Sequence, residues 1–471
     1  AHTNRAALPS AATVTRTVLD NGLIILVREN FSAPVVAIEG CIPCGSLHEA
    51  YVTAHASDSA AHLRGLASFT ASMLTRGSRN YTQDAFDAAI EDVGASLGAG
   101  ADAHLTNFGA TSLAEDFSTM VDVLADILRY PTFPAEQVAR MRKRRLVFLQ
   151  ERDHDSAHWA AMRFSEAIYG KTHPYGYPVS GSVETVGRME QADLAAFHEQ
   201  FYTPHGAIVV VAGAIRADEA VDRLAAAFGG WQGRVNDHTV PSPDFAGPGH
   251  SVRAFAQGKV QNDLLLGAPA PGRGHADHYA VRVANTILGQ FGLMGRLGEM
   301  LREEMGIAYY VSSQYEATRG LGTWSASVGT NPEHVPAAAA AIVAEFHRLG
   351  HEVVDDAELE DAQAYMTGVL PLALETNAGV ASTLLTMEWQ QLGMDYLLHY
   401  PDLINQVTAA DVQRVAQTYL CDAPLWLAVA GPAIPGALPL DLLAGGQTVG
   451  RETVGDQTVG EQTVAAQAGQ E

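Results

Sequence analysis

The chain repeats itself at long range, and this constrains its fold more than any other feature. Ala192-Asp193-Leu194-Ala195-Ala196-Phe197 and Phe201-Tyr202-Thr203-Pro204 precede the apolar run Ala207–Gly213. Near the other end, Ala410-Asp411-Val412-Gln413-Arg414-Val415 and Tyr419-Leu420 precede Leu425–Gly431. Asp411 stands 218 residues after Asp193, close to half of the 471-residue chain. Each copy reads as an Asp-capped amphipathic helix, a short turn and a buried strand ending in glycine. Solenoid repeats run to roughly 20–50 residues, so this period points instead to duplication of a whole domain.

The rest of the sequence fits two halves. Thr17–Val27 predicts a strand, an Asn21-Gly22 hairpin turn and a second strand. In the second half Asn262–Ala268 predicts a strand, followed by a helix from His278 to Leu288. Strands mixed with helices in each half give an α+β class. The organisation expected is residues 1–230 as an N-terminal domain, 231–258 as a Pro/Gly/Ser-rich linker, 259–439 as a C-terminal domain and 440–471 as a tail. In that tail Gln447-Thr448-Val449-Gly450 recurs with small changes at a spacing of five, a polar, Gly-rich pattern that reads as solvated.

Charge and composition exclude several functions. With 29 basic and 53 acidic residues the net charge is −24, which argues against nucleic acid or an anionic membrane surface as main partner. Apolar residues at 47% and charged ones at 17% describe a globular chain with a large core. Apolar runs such as Ala207–Ile215 fall short of the roughly 18 residues needed to span a bilayer. Three cysteines cannot build a disulfide framework. Cys41 and Cys44 form a C-x-x-C, but Val35–Gly40 beside them reads as a strand, on which residues three apart face opposite ways. Two small buried residues are expected there, not a redox pair. The chain begins with Ala1, consistent with a removed leader or a trimmed start.

A family resemblance emerges from several ordered motifs. Arg64–Ser78, with Gly65-Leu66-Ala67-Ser68-Phe69-Thr70-Ala71-Ser72-Met73-Leu74 and Gly77-Ser78, resembles the G-L-A-H-F-L-E-H-M-L-x-x-G-[ST] helix of the pitrilysin/insulinase family of inverted-motif zinc peptidases. Gly45-Ser46-Leu47-His48-Glu49 resembles its upstream G-S-x-x-E. His173-Pro174-Tyr175-Gly176-Tyr177-Pro178, with Gly181, resembles its H-P-Y-G-x-P…G turn. The likeness extends to about residue 432 and implies two homologous α/β domains arranged as half a clam-shell.

The chemistry-bearing positions depart from that pattern. In H-x-x-E-H the histidines ligate zinc and the Glu serves as general base. Here Ser68 and Ser72 take the histidine positions and Ala71 the base position. Arg144–Glu151 resembles the family's E-R-x-V-x-L-x-E run, with Glu151 at the downstream ligand position and Arg144 in place of the first Glu. An Arg144 side chain pointing into the pocket would repel a cation further. The expectation is that this chain binds no metal or cofactor and that zinc resides in a partner subunit. The second half keeps Leu301-Arg302-Glu303-Glu304-Met305-Gly306-Ile307-Ala308-Tyr309, similar to the family's L-R-x-x-x-G-[LI]-[AG]-Y. The resemblance implies that Arg302 and Tyr309 hold the substrate backbone and stabilise the oxyanion, work for which a guanidinium and a phenol are suited.

Three functions follow. The first is the metal-free subunit of a heterodimeric zinc metallopeptidase, inactive alone, acting with a homologous zinc-carrying chain on peptide or unfolded polypeptide. Leu288–Arg296 is shorter and less glycine-rich than the loop of the family's presequence-processing members, so the exported bacterial heterodimers are the nearer likeness. The periplasm is then the expected compartment, with the cytoplasm left open. The second is a catalytically inert assembly protein of the same family. The third is an autonomous zincin using His154 and His158. His154-Asp155-Ser156-Ala157-His158, read as part of the long charged helix after Glu151, puts two imidazoles four apart on one helix face with a carboxylate beside the first.

Overall fold

The computed structural model describes residues 8–52, 63–235, 241, 251–256, 259–290, 295–435, 438 and 457–459. Its twelve strands form two six-stranded sheets. The first contains β1 (Thr15–Val18), β2 (Ile24–Glu29), β3 (Val35–Ile42), β4 (Ser96–Ala101), β5 (Thr106–Leu113) and β6 (Ile208–Gly213), in the order β1-β2-β6-β3-β5-β4. The second contains β7 (Ser251–Ala256), β8 (Asn262–Ala270), β9 (Ala308–Glu316), β10 (Gly322–Thr330), β11 (Trp426–Gly431) and β12 (Gln457–Val459), in the order β12-β7-β11-β8-β10-β9. The last five strands of each order follow one scheme. β2 runs parallel to β6 and β7 parallel to β11, while the other pairs among them are antiparallel. The duplication read from the sequence is therefore a duplication of a sheet.

Local chemistry repeats with it. The helices Gln191–Phe201 and Ala409–Ala416 both start with a capping box. The aspartate sits three residues inside, not at the cap: Asp193 accepts from the Glu190 N–H at 2.7 Å, and Asp411 from the Thr408 N–H at 3.1 Å. The Asp cap expected from sequence is corrected accordingly. The second helix continues as a π-helical turn, Gln417–Cys421. β6 and β11 are buried along their whole length and end in Gly213 and Gly431, with φ of 144° and 142°. A Cβ on Gly213 would stand 2.2 Å from the Val35 carbonyl oxygen, and one on Gly431 2.6 Å from that of Gln261. Only glycine turns the chain so close to the neighbouring strand.

The compact units are not contiguous in sequence. One comprises Ala1–Leu149, Pro178–Thr239 and Gly368–Pro401; the other comprises Gln150–Tyr177, Val240–Thr367 and Asp402–Glu471. In the first, Leu26, Cys41, Ile208, Val210 and Ala212 form one face of the sheet and are covered by Ala381, Leu384 and Met387 of the Asn377–Trp389 helix. Asn377 fixes the start of that helix by donating to the Val35 carbonyl at 3.0 Å. The opposite face, with Ile25, Val27, Ile38, Val209 and Val211, belongs to a larger core. In the second unit the Ser156–Tyr169 helix places Phe164 and Ile168 against Trp426 and Ala428. Ser156 there donates to the buried carboxylate of Asp263 on β8.

Other sequence expectations fare as follows. β1 and β2 pair antiparallel across Asn21-Gly22, and β8 and the His278–Asn285 helix fall where predicted, the helix continuing as a π-turn to Gln290. Cys41 and Cys44 are buried thiols outside any disulfide, in separate clusters, and burial pushes the Cys44 thiol up to about 12. The tail is solvated in expectation, but Gln457–Val459 pairs in parallel with β7 at the sheet edge, where unpaired backbone groups recruit a strand. The rest of the tail, most of the linker and 291–294 lie outside the described residues. Among those residues no helix is long and apolar enough to cross a membrane.

Leu384 is wholly buried on the first sheet. Leu384→Ala should lower stability by about 2–5 kcal/mol in urea unfolding, whereas truncating exposed Leu372 should change it little.

Candidate functional site

The signature segment folds as the helix Leu66–Met73, entered from Gly65. Its first turn is closed by a residue distant in sequence. Glu49 lies in the 3₁₀ turn Ser46–Tyr51, is almost wholly buried, and accepts from the N–H groups of Gly65 at 3.1 Å and Ala67 at 3.0 Å. Helix N-terminal donors suit a carboxylate, but burial outweighs them and pushes Glu49 up to about 8. Among the described residues its Oε2 has no hydrogen-bond partner.

Ser68 and Ser72 are four apart and share one face of this helix, half-buried, with Ala71 fully covered beside them. A guanidinium occupies that face. Arg145, on the helix Ala135–Arg152, donates through Nη2 to Ser68 Oγ at 2.9 Å. Its Nη1 donates to the Ser68 carbonyl at 3.3 Å and to Ser72 Oγ at 3.4 Å. The cation also lies 5.3 Å from the Phe69 ring centroid. Burial pushes Arg145 down to about 10, opposed by the charge of Glu49. Ser72 in turn donates to the Phe69 carbonyl at 2.7 Å. The arginine conditionally assigned to this pocket by sequence, Arg144, is exposed; its neighbour Arg145 enters instead, because a helix turns successive residues about 100° apart. Glu151 is exposed near the end of the same helix. Two hydroxyls already engaged by a guanidinium, with alanine at the base position, do not make a zinc donor set.

Arg302 and Tyr309 both sit on irregular backbone. Arg302 is exposed on the π-helical stretch Glu299–Glu304. Tyr309 lies on β9 between Tyr310, paired with Gly329, and Ala308, paired with Thr330, so it is the extra residue of a β-bulge. It is 56% exposed, and its hydroxyl donates to Asn331 Oδ1 at 2.8 Å. No hydrogen bond joins Arg302 to Tyr309 among the described residues. Tyr310 turns the other way, donating to buried Asp263 at 2.7 Å, a bond that helps raise its phenol well above its ordinary value after burial.

The His154/His158 reading fails on geometry. The Ala135–Arg152 helix ends before His154, and the next helix begins at Ser156, capped by Asp155 accepting from Ala157 N–H at 3.0 Å. His154 is therefore in a turn, and the two imidazoles do not share a helix face. His173 of the H-P-Y-G-Y-P turn is structural. Its Nδ1 accepts from the Tyr175 N–H at 3.1 Å, its Nε2 donates to the Pro241 carbonyl at 2.9 Å, and its ring stacks on Tyr169.

Glu49 yields a pH dependence with a definite sign. Its folded-state pKa lies above the unfolded value, so the stability it confers is complete below about pH 4 and is lost as pH rises through about 8. That contribution should be on the order of 3–5 kcal/mol across the window. Glu49→Gln keeps the accepting oxygen and should flatten this part of a stability-against-pH curve measured by urea unfolding. An identical slope in both proteins would contradict the assignment.

Sequence and structural comparisons agree. Residues 24–180 match the model described as Insulinase (Peptidase family M16), and residues 188–366 match Peptidase M16 inactive domain. An uncharacterized zinc protease of Mycobacterium tuberculosis is 29% identical over 377 residues, covering 80% of this chain and 85% of that protein. A probable mitochondrial-processing peptidase subunit beta of Arabidopsis thaliana is 25% identical over 436 residues, covering 88% and 78%. The crystal structure of a peptidase M16 inactive domain from Pseudomonas fluorescens superposes with a TM-score of 0.81 at 22% identity, covering 90% of this chain and 99% of that one. The resemblance carried by the Gly65–Ser78 helix and by the duplicated sheet is thus one of descent: this chain belongs to the insulinase family, peptidase family M16, and has its two-domain fold.

Proposed function

We propose that this chain is the zinc-less subunit of a two-chain metallopeptidase, inactive alone. A homologous partner supplies H-x-x-E-H and the catalytic zinc, and the substrate is a peptide or unfolded polypeptide. The observation that carries the reading is Tyr309 on its β-bulge, presented to solvent next to a π-helical turn bearing Arg302. A bulge interrupts ladder pairing and a π-turn worsens helical hydrogen bonding, so both are retained where they aim side chains. A protein serving assembly alone has no use for that aim.

In this scheme the two halves of the chemistry are divided by charge. A zinc ion held by the partner would supply Lewis-acid polarisation of the scissile carbonyl and its water. Arg302 offers a guanidinium with planar donors, and Tyr309 a phenolic O–H, to the oxygen that gains negative charge as the carbonyl becomes tetrahedral. Tyr309 must leave Asn331 to do so, an exchange of one hydrogen bond for another. The Ser68–Ala71–Ser72 face is supported as non-catalytic by Arg145, whose positive charge sits against both hydroxyls. A periplasmic location is part of the proposal and rests only on the likeness to the family's exported bacterial heterodimers.

The purified chain should hydrolyse no peptide, and mixing it with its H-x-x-E-H homologue should produce chelator-sensitive hydrolysis. Arg302→Ala or Tyr309→Phe should then lower turnover of the mixture by roughly ten- to a thousandfold, with assembly unchanged in size-exclusion chromatography. Undiminished turnover in both variants would leave only an assembly role.

A further inference from the structure

We infer that His347, His351 and Cys421 form a binding site for a zinc-class divalent transition-metal ion, held by two imidazole nitrogens and a thiolate with water as fourth ligand. Potential ligand atoms of these three side chains all lie within 4.8 Å of one another. Among the described residues this is the group of three or more His, Cys, Asp or Glu side chains placed to share an ion. Tetrahedral zinc at about 2.0–2.3 Å from nitrogen and sulfur needs ligands somewhat closer together, which rotation of two exposed imidazoles supplies.

Three features make this a built arrangement. His347 and His351 are four apart at the C-terminal end of the Val335–His351 helix, so both rings stand on one face, their centroids 5.7 Å apart. The Nδ1–H of His351 donates to the His347 carbonyl at 2.9 Å, which fixes the tautomer and leaves Nε2 free to ligate. Between them Gly350 has no side chain, and a Cβ there would stand 2.5 Å from Cys421 Sγ. Glycine is what allows the buried thiol to lie against the helix.

Cys421 ends the π-turn Gln417–Cys421, and its S–H points at the Phe346 carbonyl, 3.3 Å away. Burial pushes the thiol up to about 11, so without an ion it keeps its proton. Binding breaks the S–H bond, the proton goes to solvent, and sulfur's electron pair forms the metal–thiolate bond. Two imidazoles with a thiolate favour zinc, cobalt, nickel or copper over magnesium or calcium. The ion would join the end of the Val335–His351 helix to the turn leading into β11, a structural clasp with no part in hydrolysis. It departs from the expectation of a metal-free chain, and it stands independently of the proposed function.

The test is titration of chelator-stripped full-length chain with Co²⁺. One equivalent should bring up a cobalt–thiolate charge-transfer band, bleached by Zn²⁺. Cys421→Ser should abolish the band, and His347→Ala or His351→Ala should weaken binding by about a hundredfold or more, exceeding the loss typical of disturbing a neighbour of a ligand. Absence of the band, its persistence in Cys421→Ser, or unchanged affinity in both histidine variants would overturn the site. If circular dichroism shows that Cys421→Ser does not fold, the exposed histidine variants decide.

Discussion

Each sheet must be covered on both faces, and the architecture follows from that need. β6 and β11 are buried along every residue, so water is excluded from above and below. Helices from the same half cover one face. The other is closed by a helix from the opposite half of the sequence, Asn377–Trp389 for the first sheet and Ser156–Tyr169 for the second. Apolar side chains on alternate positions of β6, Ile208 and Val210 on one side and Val209 and Val211 on the other, leave no face that could remain wet.

The signature helix keeps its local fold while carrying serines and an alanine where the resemblance gives histidines and a glutamate. The segment is still helical, still entered through Gly65 and still held by Glu49. What differs is the charge handled on its face: hydroxyls receive a guanidinium from Arg145 in the positions the resemblance gives to zinc ligands. The second half differs in kind. There, Arg302 and Tyr309 sit on departures from regular backbone, where side-chain direction is set by a π-turn and by a bulge.

Histidine spacing carried information that a reading centred on H-x-x-E-H passed over. His347 and His351 stand at the same i, i+4 spacing as His154 and His158, but only the former pair lies within one helix. Asp155 decides the difference, because it caps a new helix and strands His154 in the turn before it. Cys421, 70 residues beyond His351, gives no sequence signal of its own.

The sequence by itself determined the duplication, the hairpin at Asn21-Gly22, the buried central strands, the burial of Cys41 and Cys44 and the presence of hydroxyls, not imidazoles, at Ser68 and Ser72. Those features rest on local rules, periodicity, turn chemistry and ligand identity, which act within a few residues. Tertiary structure alone decided which helix covers which sheet, that Arg145 and not Arg144 reaches the serines, that Tyr309 is bulged, and that Cys421 meets two histidines. Each of these depends on contacts between segments far apart in the chain, where packing and the direction of a side chain, not composition, select the partner.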